Sequence, residues 1–138
     1  MSTKKLKFVI HGIIVSLYEY IDFVNRRKKV TGNFYQMPNN IFSFNLNKYE
    51  LSVYSYLVCC AGKKKECWPS LTTISRVLGI SRGSAVKAID KLVQLRLIDR
   101  IHVMKENKNG MMVMRNNHYL ILPFDDAWEF FINNGVYH

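Results

Sequence analysis

Acidic residues are scarce in this chain of 138 residues, where ten Asp and Glu stand against twenty Lys and Arg, a formal net charge of +10. Such an excess is typical of proteins that bind nucleic acids, because Lys and Arg that neutralise phosphates release condensed counterions. A basic surface that only favours solubility is the alternative. The length fits one domain with one core, and a hydrophobic fraction of 49% excludes disordered and collagen-like chains.

Cysteine is also rare, and the three cysteines are poorly placed for chemistry. Cys59 and Cys60 are adjacent, Cys67 follows, and no histidine lies near them in sequence. This spacing does not match a zinc site, and the odd number does not suggest a disulfide framework. We therefore predict reduced thiols in a cytoplasmic protein without metal or other cofactor.

The sequence has no apolar run long enough to span a bilayer. The segment Phe8–Leu17 follows Lys4, Lys5 and Lys7 and superficially resembles a signal peptide. It is short, contains His11 and lacks a small-residue cleavage site. We predict no membrane insertion, and a peripheral membrane anchor is the alternative.

Both ends of the chain predict amphipathic helices. Apolar residues recur at helical spacing in the first 24 residues, which predicts a helix over residues 5–27. A helix face this apolar is expected to be buried, either against the rest of the chain or against a second copy of it. We predict a homodimer held by this helix, through Leu6, Ile10, Ile13, Leu17, Ile21 and Val24. A closing helix is predicted through Asn133, with Asp125 and Asp126 in its N-cap region, and we expect it to pack on the first.

The middle of the chain carries a helix-turn-helix pattern. Asn47 and Glu50 have capping-box spacing at the start of a first helix. Ser70 is placed to cap a helix that ends at Leu78, Gly79 suits a tight turn, and Ser81 is placed to cap a longer helix to about Leu95. The exposed start of that last helix is where a recognition helix meets the major groove. An ordinary two-helix hairpin is the alternative.

A β-hairpin is predicted directly after this helix. The segments Ile101–Glu106 and Met111–Met114 flank Asn107–Gly110, and Asn-Gly is a strong signal for a type I′ turn. The second strand is expected to continue through residues 117–121. A hairpin in this position is the wing of a winged helix, although it could also be a plain solvated hairpin.

About 90 residues of the chain, from Phe34 to Leu122, resemble a known family of domains. The segments concerned are Met37–Asn39, Glu50 with Val53–Leu57, Cys67–Ser70, Ile74-Ser75, Leu78–Arg82, Lys87–Ile89, Lys91-Leu92, Leu97-Ile98 and Asn117–Tyr119. They resemble the winged-helix domains at the N-terminus of plasmid and phage replication initiators and replisome organisers. The resemblance implies duplex DNA as a partner and replication or transfer proteins as further partners. Transcription regulators share nearly all of these motifs.

Two departures from that pattern concern the base-reading surface. Ala85 stands where such helices usually have Val or Ile, and Val86 occupies a position more often polar. Val86 could contact a thymine methyl group. The chain also lacks the longer C-terminal extension of replication initiators, which favours a small regulator or accessory protein.

The sequence thus predicts an α+β, mainly helical, winged helix-turn-helix protein with extra terminal helices. Its expected parts are residues 1–30 for dimerisation or packing, 31–122 for DNA binding and 123–138 as a short closing helix. The candidate DNA-binding residues are Ser70, Thr72, Ser81, Arg82, Ser84, Val86, Lys87, Lys91, Lys105, Asn107, Lys108, Asn109 and Arg115. Neither a phosphate loop nor a catalytic constellation is recognisable, so we expect a protein that is not an enzyme. A module that holds a protein partner is the alternative function.

Overall fold

The computed structural model describes residues 6–27 and 35–134. The chain divides into two compact units between Asn33 and Phe34. The unit boundaries 1–30, 31–122 and 123–138 expected from the sequence stay predictions, and each unit of the structure is described by itself.

The first unit is a hairpin followed by a helix, and the prediction of a helix over residues 5–27 is wrong for its first half. Strands β1 (Phe8–Ile10) and β2 (Ile13–Val15) pair antiparallel, and helix α1 covers only Leu17–Arg27. His11 and Gly12 both have positive φ, 50° and 80°, as a two-residue hairpin turn requires. The β-branched residues on either side of that turn favour strands over helix.

Helix α1 begins directly after Ser16, a start that the spacing of apolar residues did not predict. The Ser16 hydroxyl accepts a hydrogen bond from the Glu19 backbone amide at 3.1 Å. Phe8 stacks on Tyr20 with ring centroids 4.3 Å apart, so the hairpin folds back on α1. Leu6, Ile10 and Ile13 therefore lie outside the helix, and the six predicted dimer residues do not form one helical stripe.

The second unit contains four helices, five strands and two short 3₁₀ segments among its described residues. In chain order these are the 3₁₀ segment Asn39–Phe44, α2 (Lys48–Ala61), the 3₁₀ segment Gly62–Lys64, β3 (Glu66–Cys67), α3 (Leu71–Leu78), α4 (Arg82–Gln94), β4 (Ile98–Ile101), β5 (Met104–Glu106), β6 (Met112–Met114), β7 (His118–Ile121) and α5 (Phe124–Asn133).

The predicted helix caps are confirmed. Asn47 and Glu50 form a reciprocal capping box at the start of α2. Ser70 accepts from the Thr73 amide and Ser81 from the Ser84 amide, both at 3.0 Å. Gly79 ends α3 with φ +65°, a conformation that glycine adopts without steric cost. These local bonds set the boundaries of α2, α3 and α4.

One hydrophobic core joins helices α2, α3 and α4 to strands β4 and β7. Helix α4 packs on α2 and α3 through its small and aliphatic side chains. The residues that are less than 2% exposed include Val53, Tyr54, Leu57, Ile74, Ala85, Ile89, Leu92, Leu97, Ile98 and Tyr119. Helix α4 buries one side against α2 and α3, and Arg82, Gly83, Val86 and Lys87 in its first two turns stay exposed.

The sheet and the wing are separate, which corrects the predicted continuous strands. Strands β3, β7 and β4 form a three-stranded antiparallel sheet, whereas β5 and β6 form a two-stranded ribbon. Ile101 pairs with His118 and Met104 with Met114, so two residues on one strand face three on the other. One extra residue is the mark of a β-bulge, which bends the hairpin.

The wing turn also differs from the predicted type I′ geometry. Gly110 has φ +76°, but Asn109 does not have positive φ. The Gly110 amide donates to the Asn107 carbonyl at 3.1 Å. The Asn107 side chain accepts from the amides of Asn109 and Met111, at 2.9 and 3.0 Å. This side chain favours a three-residue loop that ends in a glycine bulge.

Helix α5 is present where it was predicted, with a different start. Pro123 occupies the N-cap position without a side-chain cap, and Asp125 and Asp126 lie in the first turn, where carboxylates favour the helix dipole. Phe131 is buried, and its ring centroid lies 4.7 Å from that of Phe44 in the 3₁₀ segment. Within residues 35–134, α5 therefore packs on the 3₁₀ segment Asn39–Phe44, and its expected packing on the first helix stays a prediction. The fold of this unit is a winged helix-turn-helix: α2, α3 and α4 with the hairpin that follows.

Candidate nucleic-acid interface

An open cleft lies where α3 begins, α4 begins and the wing is anchored. Its volume is about 780 Å³. The lining includes Ser70 and Thr72 from the start of α3, Arg82 from α4 and Arg115 from the wing base. The fold thus brings four of the predicted site residues, which are up to 45 positions apart in sequence, to one cleft with two cations in its walls.

Arg82 is oriented by the neighbouring helix. Its guanidinium Nη1 donates to the Thr72 hydroxyl at 3.4 Å, a long bond between exposed side chains. Ser70, Ser81 and Ser84 are committed to structure, since the two capping hydroxyls also bond the side chains of Thr73 and Ser84, each at 2.9 Å. The three serines therefore position α3 and α4, and of the candidate residues at these two helix starts Arg82 and Thr72 remain available to a partner.

Helix α4 presents a short exposed surface beyond Arg82. Val86 and Lys87 are exposed, and Lys91 is half-buried one turn further along. Ala85, Ala88 and Ile89 alternate with them and are buried against the core. The departure at Ala85 has a reason here, because a small side chain fits where α4 packs closely on its neighbours.

The wing has two different faces, which follow from the alternation of its strands. Lys105, Val113 and Arg115 lie on one face together with Asn107 at the tip, and we call this the cationic face. Met104, Met112 and Met114 lie on the other with Glu106, and we call this the methionine face. Lys108 and Asn109 are in the exposed turn.

A stacked pair of rings at the cleft was missed from the sequence. Trp68 is half-exposed and stacks on His118, with centroids 4.2 Å apart and planes 8° from parallel. His118 Nε2 lies 3.1 Å from a carboxylate oxygen of Glu66. The side-chain amide of Asn116 donates to the backbone carbonyl of Trp68 at 3.3 Å. Only the strand pairing of β3 with β7 brings these residues together, although the exposed tryptophan beside Pro69 was a signal.

The charges around the cleft favour an anionic partner. Arg82 and Arg115 have no carboxylate within salt-bridge distance among the described residues, whereas Arg100 is paired with Asp90 at 2.7 Å. Burial raises the pKa of Tyr119, which also lines the cleft, so its phenol is neutral at physiological pH. Burial likewise raises the pKa of the Cys67 thiol to about 11.

Two further features, a cluster of metal ligands and a membrane-spanning helix, are not found among the described residues. Residues 6–27 and 35–134 contain no group of three His, Cys, Asp or Glu side chains that could hold a metal ion. In those same ranges, the helices are too short or too polar to cross a membrane.

Comparisons with known proteins give one family match and similar solved structures. No curated protein matches this chain significantly. A solved structure of a possible transcriptional regulator from Methanosarcina mazei Go1 is similar at 12% identity and a TM-score of 0.47, covering 93% of this chain and 83% of that one. A cysteine-to-serine mutant of Lactococcus lactis ZitR in complex with DNA is similar at 15% identity and a TM-score of 0.39, covering 89% and 75%. Residues 45–98 match the family model described as a helix-turn-helix domain.

Proposed function

We propose that this protein binds duplex DNA sequence-specifically, with α4 in the major groove and the wing on the backbone or minor groove. It would act in transcriptional control or in the replication or transfer of a mobile element. The helix-turn-helix match over residues 45–98 supports the DNA-binding part. The resemblance to replication initiators is the basis for replication or transfer.

One observation carries the proposal. The fold places Arg82 at the exposed start of α4, in the same cleft as Arg115 of the wing base. A guanidinium in the first turn of a recognition helix is suited to a bidentate contact with guanine. A cation at the wing base is suited to a phosphate, which fixes the register of the protein on DNA. Duplex DNA would supply both contacts, a guanine edge for Arg82 and a phosphate for Arg115.

Salt dependence tests the DNA-binding proposal directly. Binding of the full chain to a random 40-base-pair duplex is measured by fluorescence anisotropy between 50 and 200 mM salt. For about 6–10 phosphate contacts by a dimer, affinity should fall on the order of 10³–10⁵ over this range. No binding at the lowest salt, or an affinity that does not change with salt, contradicts the proposal.

Two matched variants separate base reading from backbone contact. A specific duplex is first selected from a random pool. Arg82→Ala should cost about 1–3 kcal/mol on that duplex and relax base preference, whereas Lys108→Ala should weaken all sequences about equally. Equal losses on specific and random duplexes in both variants would show that Arg82 does not read bases. The position of selected sites, beside a promoter or repeated at an origin, distinguishes the two processes.

A module that holds a protein partner is the alternative, and the same titration addresses it. The apolar exposure of the first unit is the feature that favours it, since Ile13, Ile14 and Tyr18 are 66%, 68% and 80% exposed. A chain that binds a protein partner but no duplex at low salt would fit this alternative.

We also propose that two copies of the chain associate through the first unit. The surface involved differs from the predicted one, because its residues lie on a hairpin and a helix and not along one helix. Leu6, Ile13, Leu17 and Ile21 are exposed, while Ile10 and Val24 are half-buried. Pairing of two copies would present two recognition helices to half-sites spaced by a helical turn or a multiple of it. Sedimentation of the full chain at micromolar concentration tests this, and a monomeric mass contradicts it.

A further inference from the structure

The methionine face of the wing is an exposed apolar surface on a ribbon that also carries Lys105, Lys108 and Arg115. Met104, Met112 and Met114 are 46%, 58% and 60% exposed. Met104 pairs directly with Met114 across the ribbon, and Met112 pairs with Glu106. About half of each of these side chains stays in water, so part of the transfer free energy of their apolar atoms is not gained.

We propose that the methionine face inserts into the minor groove of duplex DNA, an inference that rests on the proposed function and extends it. Met114 also lines the cleft that holds Arg82 and Arg115, so this apolar face is continuous with the candidate DNA surface. Lys108 lies in the exposed turn of the same ribbon, whereas Lys105 lies on the opposite, cationic face. A polyanion that lies along the cleft would pair with Arg82 and Arg115, which an apolar protein partner would leave without a counter-charge.

The dimensions and chemistry of the minor groove suit these side chains. The groove is about 6 Å wide, too narrow for a helix but wide enough for an unbranched thioether chain. Apolar side chains, methionine among them, are inserted between base steps by many minor-groove proteins. The Met104 and Met114 pair is the expected point of entry, because Glu106 beside Met112 repels phosphates nearer the tip.

The proposal predicts a preference that the major groove cannot produce. A·T pairs expose only acceptors in the minor groove, whereas G·C pairs add the guanine 2-amino group. Inosine lacks this amino group but has the major-groove pattern of guanine. An apolar side chain should therefore bind poly(dI-dC) and poly(dA-dT) more tightly than poly(dG-dC), because it cannot satisfy the buried amino donor.

The experiment compares the full chain with three wing variants on these polymers. The variant Met104→Gln/Met114→Gln keeps the side-chain shape but makes it polar, and Met104→Leu/Met114→Leu keeps it apolar. Met111→Gln is the matched control, since Met111 is exposed and adjacent in sequence but outside the methionine face. Thermal unfolding verifies that each variant folds, which the exposure of these residues favours.

We expect the glutamine pair to lose roughly tenfold in affinity for poly(dI-dC), as burial of about two methylene groups would predict. Its preference over poly(dG-dC) should disappear, while the slope of log K against log salt stays the same. The leucine pair and Met111→Gln should resemble the wild type. By contrast, Lys108→Ala should reduce that slope by about one on every polymer.

Each possible failure has a separate meaning. Absence of binding to every polymer at low salt contradicts the proposed function itself. Steep salt dependence with equal affinity for poly(dI-dC) and poly(dG-dC), and no effect of the glutamine pair, overturns only this inference. A glutamine pair that converts an oligomer to a monomer in sedimentation also overturns it, because the face would then join two copies of the chain.

Discussion

The helix-turn-helix and the wing are held in place by different means. Helix α4 is fixed by a continuous buried side, of which Ala85, Ile89 and Leu92 are at most 1% exposed. The wing has no buried residue between Met104 and Asn116. Its position depends on its connection to β4 and β7, on the Arg115 amide bonded to the Val103 carbonyl at 2.7 Å, and on its own turn. Local opening should therefore be easier in the wing than in α4.

The largest expected effect tests whether stability resides in the first region. Leu92→Ala removes a fully buried side chain between α4 and the core and should lower the free energy of unfolding by about 2–5 kcal/mol. Met112→Ala on the wing is the control and should stay within about 0.5 kcal/mol of the wild type. Urea titrations followed by circular dichroism measure both. Similar losses in the two variants would mean that the wing is part of the cooperative core.

An intermediate effect is expected at the cap of α4. Ser81→Ala removes the acceptor of the Ser84 amide, which should cost about 1 kcal/mol of stability. Ser81→Asp, which restores the acceptor, should recover most of the loss in the absence of DNA. The same urea titration applies. If alanine and aspartate had the same stability, the Ser81 bond would contribute nothing to the start of the helix.

The smallest effect on global stability is expected at the wing turn. Asn107→Ala removes the acceptor of two backbone amides in the tip. We expect faster hydrogen exchange of Asn109 and Met111, with unfolding of the whole unit changed by less than about 0.5 kcal/mol. Asn109→Ala, whose side chain accepts neither amide, serves as the control. A large loss of global stability would remove the distinction between the two regions.

Sequence patterns were sufficient where one local interaction decides the structure. The caps at Asn47, Ser70 and Ser81 require only a side-chain oxygen and an amide three residues on. The glycine turn after α3 needs only positive φ. These features are readable because both partners lie within one turn of chain.

Patterns failed where two local structures competed. Residues 8–15 fit an apolar helical stripe and also a β-branched hairpin around His11-Gly12, and the hairpin is what forms. Spacing alone did not separate them, because a short apolar run matches both periods. In the wing, the Asn-Gly signal located the turn, but the Asn107 side chain decided its type.

The sequence by itself therefore determined a basic chain with a capped helix-turn-helix and a hairpin after it, because those elements follow from neighbours in the chain. Tertiary structure alone decided which side chains share a site. It placed Thr72, Arg82 and Arg115 around one cleft and stacked Trp68 on His118 across β3 and β7. It also divided the wing into a cationic and a methionine face, since the register and the bulge of a ribbon depend on contacts between residues distant in sequence.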